Sequence, residues 1–300
     1  MWTLFLASTA MAASLTLTPD APERYHAEVL LQLDAPVQLL AANNDNARVV
    51  LIGLAMDLDC TPMPVSRGHE LNCDIDNVGL QAGAFTPREQ ERADRIMEEY
   101  AGFMSEASAQ VEVGTDGRIR VVDIEGIDKR DERMRNVHEY IRLMVRRAFA
   151  PMDIQVPRRG AVVGDSWKRK GGSLTFEMFS RFGTVGGSLI TYTADEESDG
   201  RMVVSQTGRG NIGVSSGGAT LSFEDGDATT SGGLYNTLSS GFAFFDTSAG
   251  RWVYAEYSTQ GQLNQAATSG VNTFIQAAWI GRINDDGTVE GPTGPRALAR

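Results

Sequence analysis

The chain has 300 residues, a formal net charge of -12 and 42% hydrophobic residues. This length is sufficient for one large domain or two smaller ones. Because phosphate backbones repel an acidic protein, the composition argues against a role in binding nucleic acid. No stretch approaches the roughly 18 consecutive apolar residues of a membrane-spanning helix, so no transmembrane segment is predicted.

The N-terminal residues have features of a secretion signal. WTLFLASTAMAA, from Trp2 to Ala13, is apolar and then small, and it contains the A-x-A cleavage pattern at Ala10-Met11-Ala12. A signal peptide is therefore predicted at residues 1–12. It lacks a basic first part, which fits a leader that extends further upstream; an ordinary buried N-terminal segment is the alternative.

Residues 56–76 read nearly the same from both ends: Asp57-Leu58-Asp59-Cys60 is answered by Cys73-Asp74-Ile75-Asp76. An antiparallel hairpin with Cys60 opposite Cys73 would place these cysteines, Leu58 and Ile75 on one apolar face. In an oxidising compartment this only cysteine pair of the chain is predicted to form a disulfide. Two buried free thiols in a cytosolic protein are the alternative.

The other face of this hairpin carries four aspartates. Like charges opposite each other on paired strands are destabilising, so this face must be solvated, paired with Lys or Arg, or occupied by a cation. Clustered carboxylates are Ca²⁺ ligands, but a solvated strand face is the favoured interpretation. The sequence leaves the cation open. The four residues are Asp57, Asp59, Asp74 and Asp76.

Further elements follow in chain order. Alternating residues predict a strand over Arg24–Leu40. Thr86, Pro87 and Glu89 give the cap, first-turn proline and capping box of a helix that extends to about Ser105. A hairpin is predicted over 110–122 and a second amphipathic helix over about 128–150. Short strands with Gly-rich turns then follow at 174–179, 188–193, 202–206, 219–223, 241–245, 251–257 and 273–283.

These elements predict an α+β fold: a large, twisted, mostly antiparallel, half-barrel-like sheet with two long amphipathic helices packed on it. One domain is predicted over residues 14–285, in two halves of about 14–160 and 161–285. The Gly- and Pro-rich residues 286–300 are predicted to be a disordered tail.

The segment VVGDSWK, from Val162 to Lys168, and the later GFAFFDTSAGRWVYAEY resemble two motifs of an uncharacterised family of secreted bacterial proteins. In that family a V-G-D-x-W segment opens a second, β-rich half. The resemblance covers roughly residues 25–283 but depends on these two motifs. It implies a shape similar to the periplasmic lipoprotein-carrier (LolA-type) half-barrel, with an apolar cavity between sheet and helices.

Strands around residues 241–257 have apolar side chains on both faces, so both faces require a cover, which would be the helices or a ligand. The candidate cavity-lining residues are Phe242, Phe244, Trp252, Tyr254, Ile275 and Trp279. The favoured hypothesis is a non-enzymatic, secreted or periplasmic envelope protein that holds a lipid or other apolar small molecule. The first alternative is a structural or interaction protein with a filled core and an envelope protein partner.

A hydrolase with an unrecognised site is the second alternative. Gly213-Val214-Ser215-Ser216-Gly217 fits G-x-S-x-G, but that motif needs a histidine downstream, and the last histidine is His138. The three histidines are scattered, without the ligand spacing of a zinc site. No catalytic residue, cofactor or metal is therefore predicted.

Overall fold

The structure, a computed structural model, describes residues 21–40, 46–64, 69–130, 132–157, 160–172, 183–198, 200–215, 232–263, 273–294 and 296–297. The predicted signal peptide at 1–12 and the strands predicted at 174–179 and 219–223 lie outside these residues. The strands are β1 (Glu23–Leu40), β2 (Asn46–Pro64), β3 (His69–Ala84), β4 (Ser108–Val113), β5 (Ile119–Glu125), β6 (Ser166–Gly172), β7 (Gly183–Ser198), β8 (Arg201–Ser215), β9 (Gly232–Asp246), β10 (Arg251–Leu263), β11 (Thr273–Arg282), β12 (Thr288–Val289) and β13 (Arg296–Ala297). The helices are α1 (Pro87–Ser105), α2 (Glu132–Phe149) and a 3₁₀ turn at Ala150–Met152.

One antiparallel sheet contains eleven of these strands, in the order β5-β4-β3-β2-β1-β11-β10-β9-β8-β7-β6. The strands that precede residue 160, β1 to β5, form one half of this order, and the strands that follow it, β6 to β11, form the other half. The two sets join where β1 pairs with β11, in a register that places Tyr25 opposite Arg282 and Leu33 opposite Phe274. The first and last long strands therefore lie at the centre of the sheet.

The predicted α+β class with two long helices is wrong. Strand accounts for 60% of the structure and helix for 19%, so the protein is mainly a large antiparallel sheet. The helices have 19 and 18 residues. The strands β7, β8 and β9 have 16, 15 and 15 residues, where the sequence predicted short strands. These strands are longer than their apolar runs because they continue through glycine, serine and threonine, which the sequence pattern assigned to turns.

The hairpin of β2 and β3 is confirmed in its predicted register. Asp59 lies opposite Asp74, and Cys60 lies opposite Cys73, with which it forms a disulfide. Leu58, both cysteines and Ile75 are fully or almost fully buried on the face towards the helices. The disulfide thus belongs to the hydrophobic core and fixes the register of the hairpin.

Both helices begin and end within a few residues of their predicted bounds. The Thr86 hydroxyl accepts a hydrogen bond from the Glu89 backbone N–H, 3.3 Å away, which confirms the predicted cap. One side of the sheet, here called the helix face, packs under these helices, and the opposite side is called the outer face. Core residues of the helix face and helices include Val29, Leu54, Met56, Ile96, Tyr100, Ile141 and Phe149.

Asp153, just after the 3₁₀ turn, connects the two edge strands of the sheet. Its Oδ1 accepts from the Ile119 backbone N–H in β5 at 3.0 Å, and its Oδ2 accepts from Arg169 in β6 at 3.2 Å. In the V-G-D-x-W motif, Trp167 stacks on Tyr192 and donates to the Gln155 carbonyl. The sheet therefore curves so far that both edge strands hydrogen-bond to Asp153. The motif connects the edge strand β6 to the segment that follows α2.

Residues 286–294 and 296–297, within the tail predicted at 286–300, contain two short strands. β12 pairs with β13, and the Glu290 carboxylate accepts two hydrogen bonds from Arg201, each 3.2 Å long. A Cβ on Gly281 would lie 2.4 Å from the Glu290 carbonyl oxygen, so the segment packs directly on β11. The segment is polar in composition, but its Val289 is fully buried and packs on the outer face.

Gly261 in β10 gives a test of this packing. A Cβ at this position would lie 1.9 Å from the ring of Phe274, its partner in β11, so Gly261→Ala must displace a buried ring. We expect a loss of about 1–3 kcal/mol in the free energy of unfolding, measured by urea denaturation. Gly79→Ala is the matched control, because its Cβ would make only an ordinary contact, 3.9 Å from Ala55. Equal free energies of unfolding for Gly261→Ala and Gly79→Ala would contradict the close packing of Gly261 on Phe274.

Candidate binding site

Aromatic side chains from three adjacent strands gather on the outer face. The rings of Phe242 and Phe244 in β9 lie 5.8 and 5.9 Å from the ring of Tyr254 in β10. Tyr254 in turn lies 6.2 Å from Trp279 in β11. These separations suit favourable aromatic pairs, so the four rings form one patch, here called the aromatic patch.

Carboxylates alternate with these rings across the strands. In the register of β1, β11, β10 and β9, Glu28 lies opposite Trp279, Trp279 opposite Glu256, and Glu256 opposite Phe242. The Trp279 indole N–H donates to Glu28 Oε2 at 2.9 Å, and the Tyr254 hydroxyl donates to Glu256 Oε2 at 2.7 Å. Hydrogen bonds to charged acceptors are comparatively strong, so both rings are held in fixed orientations.

A buried ion pair lies next to Trp279 and supports the aromatic patch. His26 Nδ1 donates to Asp57 Oδ1 at 2.6 Å, Asn77 donates to Asp57 Oδ2 at 2.7 Å, and the imidazole ring lies 5.2 Å from Trp279. Burial by itself lowers the pKa of His26, but hydrogen bonds to Asp57 and Glu28 outweigh burial and raise this pKa to about 9. Burial raises the pKa of Asp57, but its bonds to His26 and Asn77 produce a net lowering. His26 is therefore a cation at neutral pH.

A groove of about 600 Å³ borders Trp279 on the outer face. Four small residues form its floor, with Leu30 and Trp279 as apolar walls and Glu28 and Gln81 as polar groups. We call it the outer groove. The floor residues are Gly53, Ala55, Gly79 and Ala277. Its volume lies within the usual range of small-molecule sites, and its lining combines apolar surface with a few hydrogen-bonding groups.

Of the six side chains predicted to line a cavity, the structure brings four together: Phe242, Phe244, Tyr254 and Trp279. Ile275 lies on the same face and is 41% exposed.

Trp252 lies on the helix face, opposite Phe245, because a bulge between Trp252 and Tyr254 shifts the register by one residue. Strict alternation would place Trp252 and Tyr254 on one face, but the extra residue in the strand reverses the alternation and separates them.

At the predicted position, between helices and sheet, the space enclosed beneath α2 is small, and a cationic cleft described below opens beside it. A cavity of about 60 Å³ lies there, lined by residues that include Phe149, Tyr192 and Tyr257. This volume holds a few water molecules. Burial raises the pKa of Asp153 and of Tyr192 at its wall. The outer groove is thus the larger of these two spaces, by about tenfold.

The acidic face of the hairpin has protein partners. Asp57 is bonded to His26, and Asp59 lies 3.9 Å from the Arg24 guanidinium. Within the described ranges, no group of three or more His, Cys, Asp or Glu side chains is placed to hold a metal ion. Sequence reasoning treated His26 as isolated; only the pairing of β1 with β2 reveals its partner.

None of the helices in the part of the chain that the structure describes is long and apolar enough to cross a membrane. No protein-family model matches the chain, and no curated protein matches it significantly. The resemblance to the V-G-D-x-W family therefore stays a prediction.

Proposed function

We propose that this chain is a non-enzymatic binding protein of the cell envelope that holds a lipid or other amphiphile in the outer groove. The observation that carries this proposal is the groove itself: small residues form its floor, and Trp279 forms a wall that a hydrogen bond to Glu28 keeps in place. An apolar chain or ring would lie on Leu30, Ala55 and Trp279. A hydroxyl or amine of the ligand would donate a hydrogen bond to the carboxylate of Glu28, whose side chain is 50% exposed.

The disulfide and the leader-like N-terminus support the envelope location. Disulfides persist in secreted and periplasmic proteins and are rare in the cytosol. The ligand position differs from that expected from sequence, because the cavity of about 60 Å³ under the helices would not accept an acyl chain. The rigid sheet also favours binding, since a site that is formed in advance loses little conformational entropy when the ligand arrives.

Filling the groove gives the direct test. Gly79→Val adds a side chain to the floor without a close contact, because the first added carbon would lie 3.9 Å from Ala55. We expect this variant to bind the fluorescent apolar amine N-phenyl-1-naphthylamine at least about tenfold more weakly than the natural chain, which equals about 1.4 kcal/mol. Fluorescence titration provides the affinities, and native mass spectrometry shows whether a lipid is retained through purification.

Ser240→Val is the matched control. Ser240 is exposed on the same face in β9 but does not line the groove. Unchanged probe binding by Ser240→Val, together with weaker binding by Gly79→Val, would support the proposal. Equal binding by all three proteins, or no binding by the natural chain, would overturn it.

An interaction protein is the second candidate. Leu189, Leu238 and Ile275 lie in one row across the outer face, separated by Arg209 and Gln260, and are 48%, 58% and 41% exposed. A row of exposed apolar side chains suits a protein partner. If Leu238→Lys abolishes a complex seen by cross-linking in envelope extracts while probe binding persists, this candidate is favoured over the first.

A further inference from the structure

Six cationic side chains line one cleft of about 680 Å³ between α2, the β4–β5 hairpin and β6. The cleft lies where the two edge strands of the sheet approach each other, and it shares no lining residue with the outer groove. Among the residues that the structure describes, Asp153 is the only acid in its lining. We call it the basic cleft; its cationic residues are Arg118, Arg120, Arg142, Arg146, Lys168 and Arg169.

The ion pairs of these residues leave positive charge in the cleft. Arg169 is paired with Asp153, whose side chain is 26% exposed. Arg118, Arg120 and Arg142 pair with acids that do not line the cleft, and these arginines are 57%, 74% and 39% exposed. Exposed ion pairs of this kind contribute little, so these guanidinium groups can turn towards a ligand.

Arg146 and Lys168 are exposed, and neither has an ion-pair partner among the residues that the structure describes. Arg146 projects from the last turn of α2, and Lys168 belongs to the edge strand β6. They therefore add two positive charges to the cleft, where Arg146 also interacts electrostatically with Asp153. Because the whole chain carries a net charge of -12, this concentration of cations is the reverse of the average surface.

The apolar part of the lining limits the kind of anion. Ile119, Val121 and Leu143 lie beside the cationic groups, so the cleft offers contacts to carbon atoms as well as to charge. Guanidinium groups match phosphate oxygens through paired hydrogen bonds, and lysine adds a point charge. A volume of about 680 Å³ suits a small organic molecule.

We propose that the basic cleft is a binding site for an organic phosphate, whose phosphate group lies between Arg146, Lys168 and Arg142. The organic part rests on Leu143 and the side chains of β5. The phosphate could belong to a soluble metabolite or to the headgroup of an anionic lipid. This site is independent of the amphiphile proposed for the outer groove, since the two occupy different parts of the sheet.

Charge reversal tests the site with two phosphate probes. Isothermal titration calorimetry would measure binding of inorganic pyrophosphate, and co-sedimentation would measure binding to phosphatidylglycerol vesicles. We expect the double variant Arg146→Glu, Lys168→Glu to bind the effective probe at least about tenfold more weakly than the natural chain, because two charge-assisted contacts become repulsive. Added salt should weaken the binding of the natural chain.

The double variant Arg88→Glu, Arg209→Glu is the matched control, because it makes the same change in net charge at exposed residues outside the cleft. Binding of pyrophosphate that only the cleft variant loses supports a soluble ligand, and the same pattern with vesicles alone supports a lipid headgroup. Equal weakening in both double variants, or no binding of either probe by the natural chain, would overturn the proposal. Probe binding to the outer groove should stay unchanged in the cleft variant.

Discussion

Replacing Cys60 and Cys73 with alanine is expected to lower the free energy of unfolding by about 3 kcal/mol. The disulfide closes a loop with a sequence separation of 13, and a loop of this size accounts for roughly 3 kcal/mol through the entropy of the unfolded chain. Both cysteines are fully buried, so alanine leaves no unpaired polar group in the core. Urea denaturation of the oxidised natural chain and the double variant measures the difference.

The reduced natural chain is the control for the loss of side-chain volume. It keeps both sulfur atoms, so a similar loss of stability on reduction assigns the effect to the covalent bond. Intact-mass analysis with alkylation should detect two thiols only after reductant has been added. Thiols that react in freshly prepared, unreduced protein would show that the bond is absent, and an unchanged urea midpoint would show that it does not stabilise the fold.

The elements that the sequence predicted correctly are those with local causes. The order of residues around Cys60 and Cys73 specifies a hairpin register, because only one pairing places the cysteines opposite each other and keeps the aspartates on one face. The cap at Thr86 and Glu89 likewise specifies where α1 begins. Each of these signals involves residues close together in the chain, and their side-chain pattern is sufficient.

The fold class could not be predicted because its causes are distant or weak in sequence. The pairing of Tyr25 with Arg282 joins residues from the two ends of the described chain, and no local pattern indicates it. The strands β8 and β9 continue through Gly208, Gly210 and Ser239, residues with low strand propensity that favour turns when considered alone. Their neighbours in the sheet supply the hydrogen bonds that keep these segments extended.

The candidate site was predicted in part, and two bulges explain what was missed. Trp279 and three other aromatic residues were singled out because their strands are apolar on both faces. The bulge after Trp252 then separated it from Tyr254. A register shift between Gln32 and Val37 in β1 similarly concealed the pairing of His26 with Asp57, because the register before the shift, with Leu40 opposite Asn46, would give His26 another partner. A bulge alters register by one or more residues and has no sequence signature here.

Asp57→Asn is expected to lower the pKa of His26 from about 9 towards its ordinary value of 6.5, because the charge of Asp57 is removed while burial and the bond to Glu28 remain. It should also lower the free energy of unfolding at pH 6 by about 2–3 kcal/mol, since it removes one partner of a nearly buried ion pair that keeps some solvent screening. NMR titration of the histidine ring protons measures the pKa. Urea denaturation between pH 5 and pH 10 measures the stability.

The pH dependence separates this pair from a simple packing effect. The pKa of His26 is raised on folding, so its stabilisation is complete below about pH 6.5 and is lost as the pH rises through about 9. The pKa of Asp57 is lowered on folding, so its part is lost as the pH falls below 3.8. The penalty of Asp57→Asn should therefore be largest near pH 5–6 and small at pH 10.

Asp74→Asn is the matched control, because Asp74 lies in the same hairpin and is exposed. Exposed substitutions usually change stability by less than about 0.5 kcal/mol, so this variant should follow the natural chain at every pH. A penalty for Asp57→Asn that is the same at pH 6 and pH 10 would assign its effect to packing. A natural chain in which His26 titrates near 6.5 would show that the ion pair beside Trp279 is not formed, and the bond to Glu28 alone would then hold Trp279 in place.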